Sequence, residues 1–574
     1  MSYTASAAFL EELQAAGIEQ IFANLGHDYP PILEAYAEAE AAGRTLPRFV
    51  VSPHESVALS AAHGYTQVTG KPAAVFVHVD CGTENLGGAV HNASKGRIPV
   101  LIFAGGVPFT QEGELTGSRN EHIQYFQDTF HQSEIVRQYV RFEWELRTGV
   151  NIRQMTARAL QFATSDPKGP VYLVGAREVM EEVVPRVELD RAAWQPVHPA
   201  ALASDDVETI ADALRTAHRP LIVTSYLGRN PDAVPKLVEL AESLGIAVLE
   251  STPGQVNFPW TSPLHQGVQW SEQAENAALA EADVVLVLDS DVPWIPLVNR
   301  PAPTARILHV DVDPLKQDVP VFYIGAQLAA RADAATALDQ LNARVAASAP
   351  IDPEVRADRI AYWSERHDAL LARLTAEAAL PADGTMTPAF VLDQLRAHVD
   401  ENTIIVNEGV SAYGLVGSHL RQSTPGGSFT QNGGSLGWNG GAAVGTKLAA
   451  PDKTVVAITG DGSFLFSVPS SVHWMARRYD TPFVQLVLDN GGWRSPKLSL
   501  EFTHPGGTAF QNAAELPITF EQPADYPAIA AAAGGAWGTT VTDATELAAA
   551  LDEAFRVVRD ERRCAVVAVR VQHL

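Results

Sequence analysis

Residues 457–472 read AITGDGSFLFSVPSSV. The apolar run Val455-Val456-Ala457-Ile458 stops abruptly at Gly460-Asp461-Gly462. One reading is a simple turn, since Asp and Gly are common turn formers. The other is a ligand site. Strand C-terminal ends in parallel α/β sheets are where ligands bind, and glycine lets a backbone approach a phosphate closely. An aspartate placed there can hold a metal ion that bridges to phosphates. The rest of the chain decides between the two.

Five hundred and seventy-four residues predict three or four domains, at roughly 150 residues each. Hydrophobic residues make up 46% and charged residues 19%, the balance of a globular protein with ample core. The net charge of −26 argues against nucleic acid or an anionic membrane as partner. Two cysteines, Cys81 and Cys564, cannot build a disulfide framework, which predicts a reducing compartment. With no leader pattern and no apolar stretch of about 20 residues, the expected location is cytoplasmic.

Helix and strand patterns alternate throughout. Apolar runs at 19–23, 49–51, 74–77, 100–103 and 169–174 read as strands of a first parallel sheet. Those at 220–224, 247–250, 284–288 and 306–312 form a second group. Those at 403–406, 454–459, 483–488 and 565–571 form a third. Strand and helix alternation at this spacing means βαβ units. The expected fold class is therefore α/β, with three doubly wound parallel-sheet domains at 1–185, 200–345 and 375–574.

Within the third domain the run 483–488 ends in Asp489-Asn490, and Asn490 lies 29 residues after Asp461. One helix and one strand fit that interval, so both side chains fall at the same end of the sheet. An aspartate carboxylate and an asparagine carbonyl are hard oxygen ligands that suit Mg²⁺ on a diphosphate. A glycine-dense loop entering a helix precedes them at 433–441. In this order the features resemble the diphosphate-binding pattern of thiamine diphosphate (ThDP) enzymes. His54-Glu55, Ala61-Ala62-His63-Gly64-Tyr65 and Arg306–Pro314 resemble the same family's first and central domains. The similarity spans nearly the whole chain, in the domain order of the acetohydroxyacid synthase, pyruvate oxidase and benzoylformate decarboxylase group.

The resemblance implies roles residue by residue. Glu55 matches the glutamate that bonds the pyrimidine ring and relays its proton. Asp461, Asn490 and the carbonyl of Gly492 match the Mg²⁺ ligands. Gly462 and Ser463 match donors to the diphosphate. Leu436 matches the apolar wedge beneath the cofactor, and Gly434 a carbonyl facing the pyrimidine amino group. Ser435 and Gly460 belong to the same two loops. Gln127 resembles a glutamine near the cofactor, and His27 stands beside the expected reacting carbon, where a histidine can shuttle protons. Trp493, Arg494 and Lys497 begin the helix that walls the substrate pocket in relatives, and either cation can receive a carboxylate or phosphate. The family's Gly-Pro-Gly-Ala-Thr-Asn loop reads Asp80-Cys81-Gly82-Thr83-Glu84-Asn85 here, an altered donor pocket.

The implied activity is ThDP- and Mg²⁺-dependent cleavage or formation of C–C bonds on 2-oxo acids or related carbonyl compounds, as in acetolactate synthase-like decarboxylases and carboligases. The alternative is a 2-hydroxyacyl-CoA lyase or oxalyl-CoA decarboxylase-like enzyme using CoA thioesters, with Arg229 part of an anion site at 225–230. Whether FAD or a nucleotide occupies the central domain stays open at this point. Small-molecule carbonyl substrates and a homodimer or homotetramer, with active sites at subunit interfaces, are the expected partners.

Overall fold

The computed structural model describes residues 3–270, 275–322, 324–512 and 516–573. Its strands form three six-stranded sheets in which every pairing is parallel. The first contains β1 (Gln20–Ala23), β2 (Arg48–Val51), β3 (Ala73–Val77), β4 (Val100–Gly106), β5 (Glu143–Leu146) and β6 (Val171–Ala176). The second contains β7 (Pro220–Thr224), β8 (Ala247–Ser251), β9 (His265–Gln269), β10 (Val284–Leu288), β11 (Arg306–Asp311) and β12 (Leu328–Arg331). The third contains β13 (Thr403–Glu408), β14 (Ser428–Thr430), β15 (Thr454–Gly460), β16 (Val484–Asp489), β17 (Trp537–Val541) and β18 (Ala565–Arg570).

The outer sheets share one topology, β2-β1-β3-β4-β6-β5 and β14-β13-β15-β16-β18-β17. The central sheet runs β12-β11-β10-β7-β8-β9, the 3-2-1-4-5-6 order of dinucleotide-binding folds read from its other edge. Interior strands are buried and largely apolar because helices cover both faces. β3, β10 and β16 are buried at every position.

Two helices join the outer domains. Glu55–Thr69 packs on Asn439–Ala449 at glycine contacts. A Cβ on Gly445 would stand 1.8 Å from the Ala61 carbonyl oxygen, and one on Gly64 would stand 2.3 Å from that of Ala442. The backbones therefore approach more closely than any side chain allows. The expected loop at 80–85 is mostly helical, Val79–Glu84; in its first turn Asp80 accepts the Cys81 amide at 2.7 Å. Among the described residues no helix is long and apolar enough to cross a membrane.

Candidate active site

β15 and β16 are neighbours, with Gly460 in register with Leu488, so Asp461 and Asn490 leave the sheet side by side. Asp461 opens the short helix Asp461–Phe466 and is 2% exposed. Its Oδ1 accepts the Gly462 amide at 2.8 Å, and its Oδ2 accepts those of Gly491 and Gly492 at 2.9 Å. The chain turns back to make these bonds through positive φ angles of 80° at Gly491 and 152° at Gly492. Asn490 Oδ1 accepts the Gly492 amide at 3.3 Å. Burial, together with the neighbouring Asp489 charge, pushes Asp461 up to about 7. Two adjacent buried carboxyls leave negative charge that a hard cation would neutralise.

A cavity of about 610 Å³ opens over these residues, lined by Gly434, Leu436, Gly460, Asp461, Gly462, Ser463, Asn490, Gly492, Trp493 and Arg494. The expected diphosphate-end residues thus converge, with two exceptions. Ser435 is held away by the N-terminal domain: Asn92 accepts its amide at 3.0 Å and donates to its carbonyl at 2.9 Å. Lys497 is half-buried on the next helix and is not part of the cavity wall. A Cβ on Gly462 would lie 2.3 Å from the Trp493 ring, so glycine there makes room for the indole.

Glu408 escaped the sequence reading. It ends β13 and is fully buried. Its Oε1 accepts the Gly437 amide and its Oε2 the Asn439 amide, both at 2.6 Å, satisfying the free N–H groups where the glycine-rich loop enters its helix. Burial pushes this carboxyl up to about 8 against the pull of those amides. A charged residue closing the apolar run 403–406 was its only sequence signal.

The N-terminal residues form a second group. Glu55 is 6% exposed and its Oε2 accepts from Asn85 Nδ2 at 3.1 Å. It is not part of the wall around Asp461. β1 and β3 are neighbours, so His27 and His78, which follow them, meet with ring centroids 4.7 Å apart. His78, unnoticed in the sequence, points Nδ1 at Asp28 Oδ1, 2.7 Å away, and Nε2 at Gln127 Oε1, 3.2 Å away. Burial opposes its charge, but the bond to Asp28 prevails and raises its pKa. Burial and the nearby His78 lower that of His27. The two imidazoles are thus shifted in opposite directions, His78 toward keeping a proton and His27 toward losing one. A Cβ on Gly26 would sit 2.1 Å from His78 Nδ1, and one on Gly105 would sit 1.7 Å from Asp28 Oδ2; these two glycines make the pair possible.

Three family models match in order: the N-terminal, central and C-terminal domains of thiamine pyrophosphate enzymes, at residues 3–135, 207–341 and 409–569. The chain belongs to the thiamine diphosphate-dependent enzymes. Members of this family are decarboxylases, carboligases and lyases. The chain is 26% identical to the acetolactate synthase large subunit of Parasynechococcus marenigrum, over 85% of this chain and 76% of that one. It is also 26% identical to benzoylformate decarboxylase of Pseudomonas aeruginosa, over 85% and 86%. A solved ThDP-dependent 4-hydroxybenzoylformate decarboxylase from Rhodococcus jostii superposes with a TM-score of 0.77 at 23% identity, covering 100% of this chain and 99% of that one, which shows the shared fold.

As a member of this family the chain carries a donor set that fits the cofactor: buried hard oxygens at Asp461 and Asn490, a glycine-lined cavity and an apolar Leu436 within it. The central domain opens instead at the ends of β8 and β9, where Ser251, Thr252, Gln269 and Trp270 line a cavity of about 520 Å³. Its topological switch point lies between β7 and β10, where the amides of Ser225 and Tyr226 donate to the Asp289 carbonyl at 3.2 and 3.0 Å. Arg229, the expected anion contact, pairs with Asp289 at 3.1 Å and lies over the Tyr226 ring. Arg97 of the N-terminal domain reaches Asp291 at 3.0 Å and Asp311 at 3.3 Å, and Lys316 reaches the same two at 2.8 and 2.5 Å.

Proposed function

We propose that the chain is a ThDP- and Mg²⁺-dependent enzyme that cleaves the C–C bond beside the carbonyl of a 2-oxo acid, releasing CO₂ and passing the remaining fragment to a proton or to a second carbonyl. The cofactor, when bound, supplies the carbanion chemistry that side chains cannot. Asp461, Asn490 and the Gly492 carbonyl hold Mg²⁺, and Gly462 and Ser463 donate to the diphosphate. Leu436 and Gly434, which line the cavity, would contact the cofactor there. Glu55 holds a proton at the pyrimidine. His78, positioned by Asp28 and Gln127, donates a proton near the reacting carbon, and His27 accepts one. Arg494 faces the substrate carboxylate. The domains divide at 1–185, 200–345 and 375–574.

The observation that carries this reading is the pair Asp461 and Asn490 at the open end of two neighbouring strands, inside a glycine-lined cavity. Because Glu55 lies outside that cavity wall, a complete site takes Glu55 from one subunit and Asp461 from another, in a homodimer or a tetramer of such pairs. Phe109, Phe126, Phe130 and Phe466 stand 60, 79, 101 and 59% exposed, apolar area suited to a second copy.

The test offers 2-oxo acids, 2-hydroxy ketones and 2-hydroxyacyl-CoA thioesters one at a time with ThDP and Mg²⁺, reading products by proton NMR. Release of CO₂ from a free 2-oxo acid supports the proposal. Turnover of thioesters alone, or of nothing while calorimetry shows the cofactor bound, overturns it.

A further inference from the structure

The helix Arg494–Thr503 has no buried residue. Ser495, Leu498, Ser499 and Phe502 recur at the spacing of one helical face, and that face walls a second cavity of about 610 Å³. Opposite it stand Trp270 and Tyr413, stacked with centroids 4.6 Å apart, with Ile295, Leu297 and Leu415 beside them. Val410, Ser411, Leu415 and Ser495 line both this chamber and the cofactor cavity, so the two are continuous. Leu498 and Phe502 remain 36 and 41% exposed, and Leu297 75%. Glu501 is the only charged residue in the chamber wall among the described residues, whereas Arg494 lines the cofactor cavity at the start of the same helix.

From this layout we infer that the substrate is a 2-oxo acid carrying an aromatic or bulky branched chain, with its carboxylate toward Arg494 and its chain in the chamber. The inference rests on the proposed 2-oxo acid reaction and names its substrate class. The methyl group of pyruvate would leave the chamber empty and its apolar wall wet. A phenyl ring would cover Leu498 and Phe502 and lie against the Trp270–Tyr413 pair. A phosphate-bearing chain finds no cation in this wall, and Glu501 would repel it.

The test has two readouts on the ThDP–Mg²⁺ holoenzyme. The first compares kcat/KM for pyruvate, 4-methyl-2-oxopentanoate and 3-phenyl-2-oxopropanoate. One methylene in an apolar pocket is worth about 10–200-fold, and the half-open chamber sets the expectation at about tenfold or more for either large acid over pyruvate. The second measures by calorimetry the binding of the unreactive 3-phenylpropanoate against propanoate, with the same order expected. Leu498→Trp, which fills the chamber, should reduce the large-to-small kcat/KM ratio about tenfold. Should that variant not fold, the wild-type series decides alone.

Equal or better use of pyruvate, with CO₂ still released, overturns the inference and leaves the proposed reaction standing. Turnover of CoA thioesters alone overturns both. A ratio unchanged by Leu498→Trp, with the subunit assembly altered in sedimentation, assigns the chamber to packing between copies and also overturns the inference.

Discussion

The central domain and the two outer domains are built from the same parts, six parallel strands with helices on both faces, yet their strand ends differ. In the C-terminal domain β15 ends in Gly460 and β16 in Asp489, beside an open cavity and the buried Asp461 carboxyl lifted to about 7. In the N-terminal domain β1 and β3 end in two histidines with opposed pKa shifts. In the central domain the ends of β7, β10 and β11 are closed, although β8 and β9 end at a cavity of their own. Asp289, Asp291 and Asp311 meet Arg97, Arg229 and Lys316, and these charges neutralise one another. An open strand end keeps its charge for a ligand, while a closed one uses it to dock a neighbouring domain.

The largest expected effect probes an open end. Glu55→Gln should lower kcat/KM by about 10²–10⁴-fold with an unchanged circular dichroism spectrum. Mixing that protein with an Asp461→Asn protein should restore activity, since hybrid dimers regain one site with both residues intact. No recovery in subunit-exchanged mixtures would place each site within one chain.

Next comes the closed end. Arg97→Ala leaves Asp291 and Asp311 to Lys316 alone, and losing one partner of a buried ion network costs about 3–5 kcal/mol. Urea unfolding should show that loss. A change below about 1 kcal/mol would mean that these charges are solvated rather than docked.

Ligands sharpen the contrast. ThDP with Mg²⁺ at about 100 times its Kd should stabilise the protein by about 2.7 kcal/mol, and EDTA should reverse that. FAD at matched excess should leave Tm unchanged. A Tm rise with FAD would reopen the central crevice.

Glu408→Gln replaces a two-oxygen acceptor by an amide with one, stranding the Gly437 or Asn439 N–H. The expected cost is about 1–2 kcal/mol in thermal unfolding. The smallest effect is a shift of a pH limb. Asp28 raises the His78 pKa, so if His78 donates its proton, activity is lost as pH rises through that pKa. Asp28→Asn removes the cause, and the alkaline limb of kcat/KM should move to lower pH. An unmoved limb would separate His78 from proton donation.

Legibility in the sequence followed burial. Interior strands such as β3, β10 and β16 are covered on both faces and read as apolar runs, interrupted in β16 at Gln485. β5, β9, β12, β14 and β17 were not read, and each lies at a sheet edge. An edge strand has a ladder partner on one side only and can be polar, as His265-Gln266-Gly267-Val268-Gln269 is. The site divided similarly. Asp461 and Asn490 announced themselves because each closes an apolar run with a polar group beside glycine. His78 closes one too, at Val77, but its meaning depends on Asp28, fifty residues earlier. Glu408 looked like the polar end of a strand until the amides of Gly437 and Asn439 folded onto it.

The sequence by itself determined that three βαβ domains form and that Asp461 and Asn490 emerge together, because apolar periodicity and one helix-plus-strand interval are local properties. Only the tertiary structure decided which strand ends stay open. Arg97 lies in one domain and Asp291 and Asp311 in another, so closing the central crevice needs the two to be packed together, and no local pattern encodes that meeting. Gly26 and Gly105 likewise matter only because folding presses each against a side chain from a distant segment. Ion pairing and close packing act through space, and only the folded chain fixes which groups come within reach of one another.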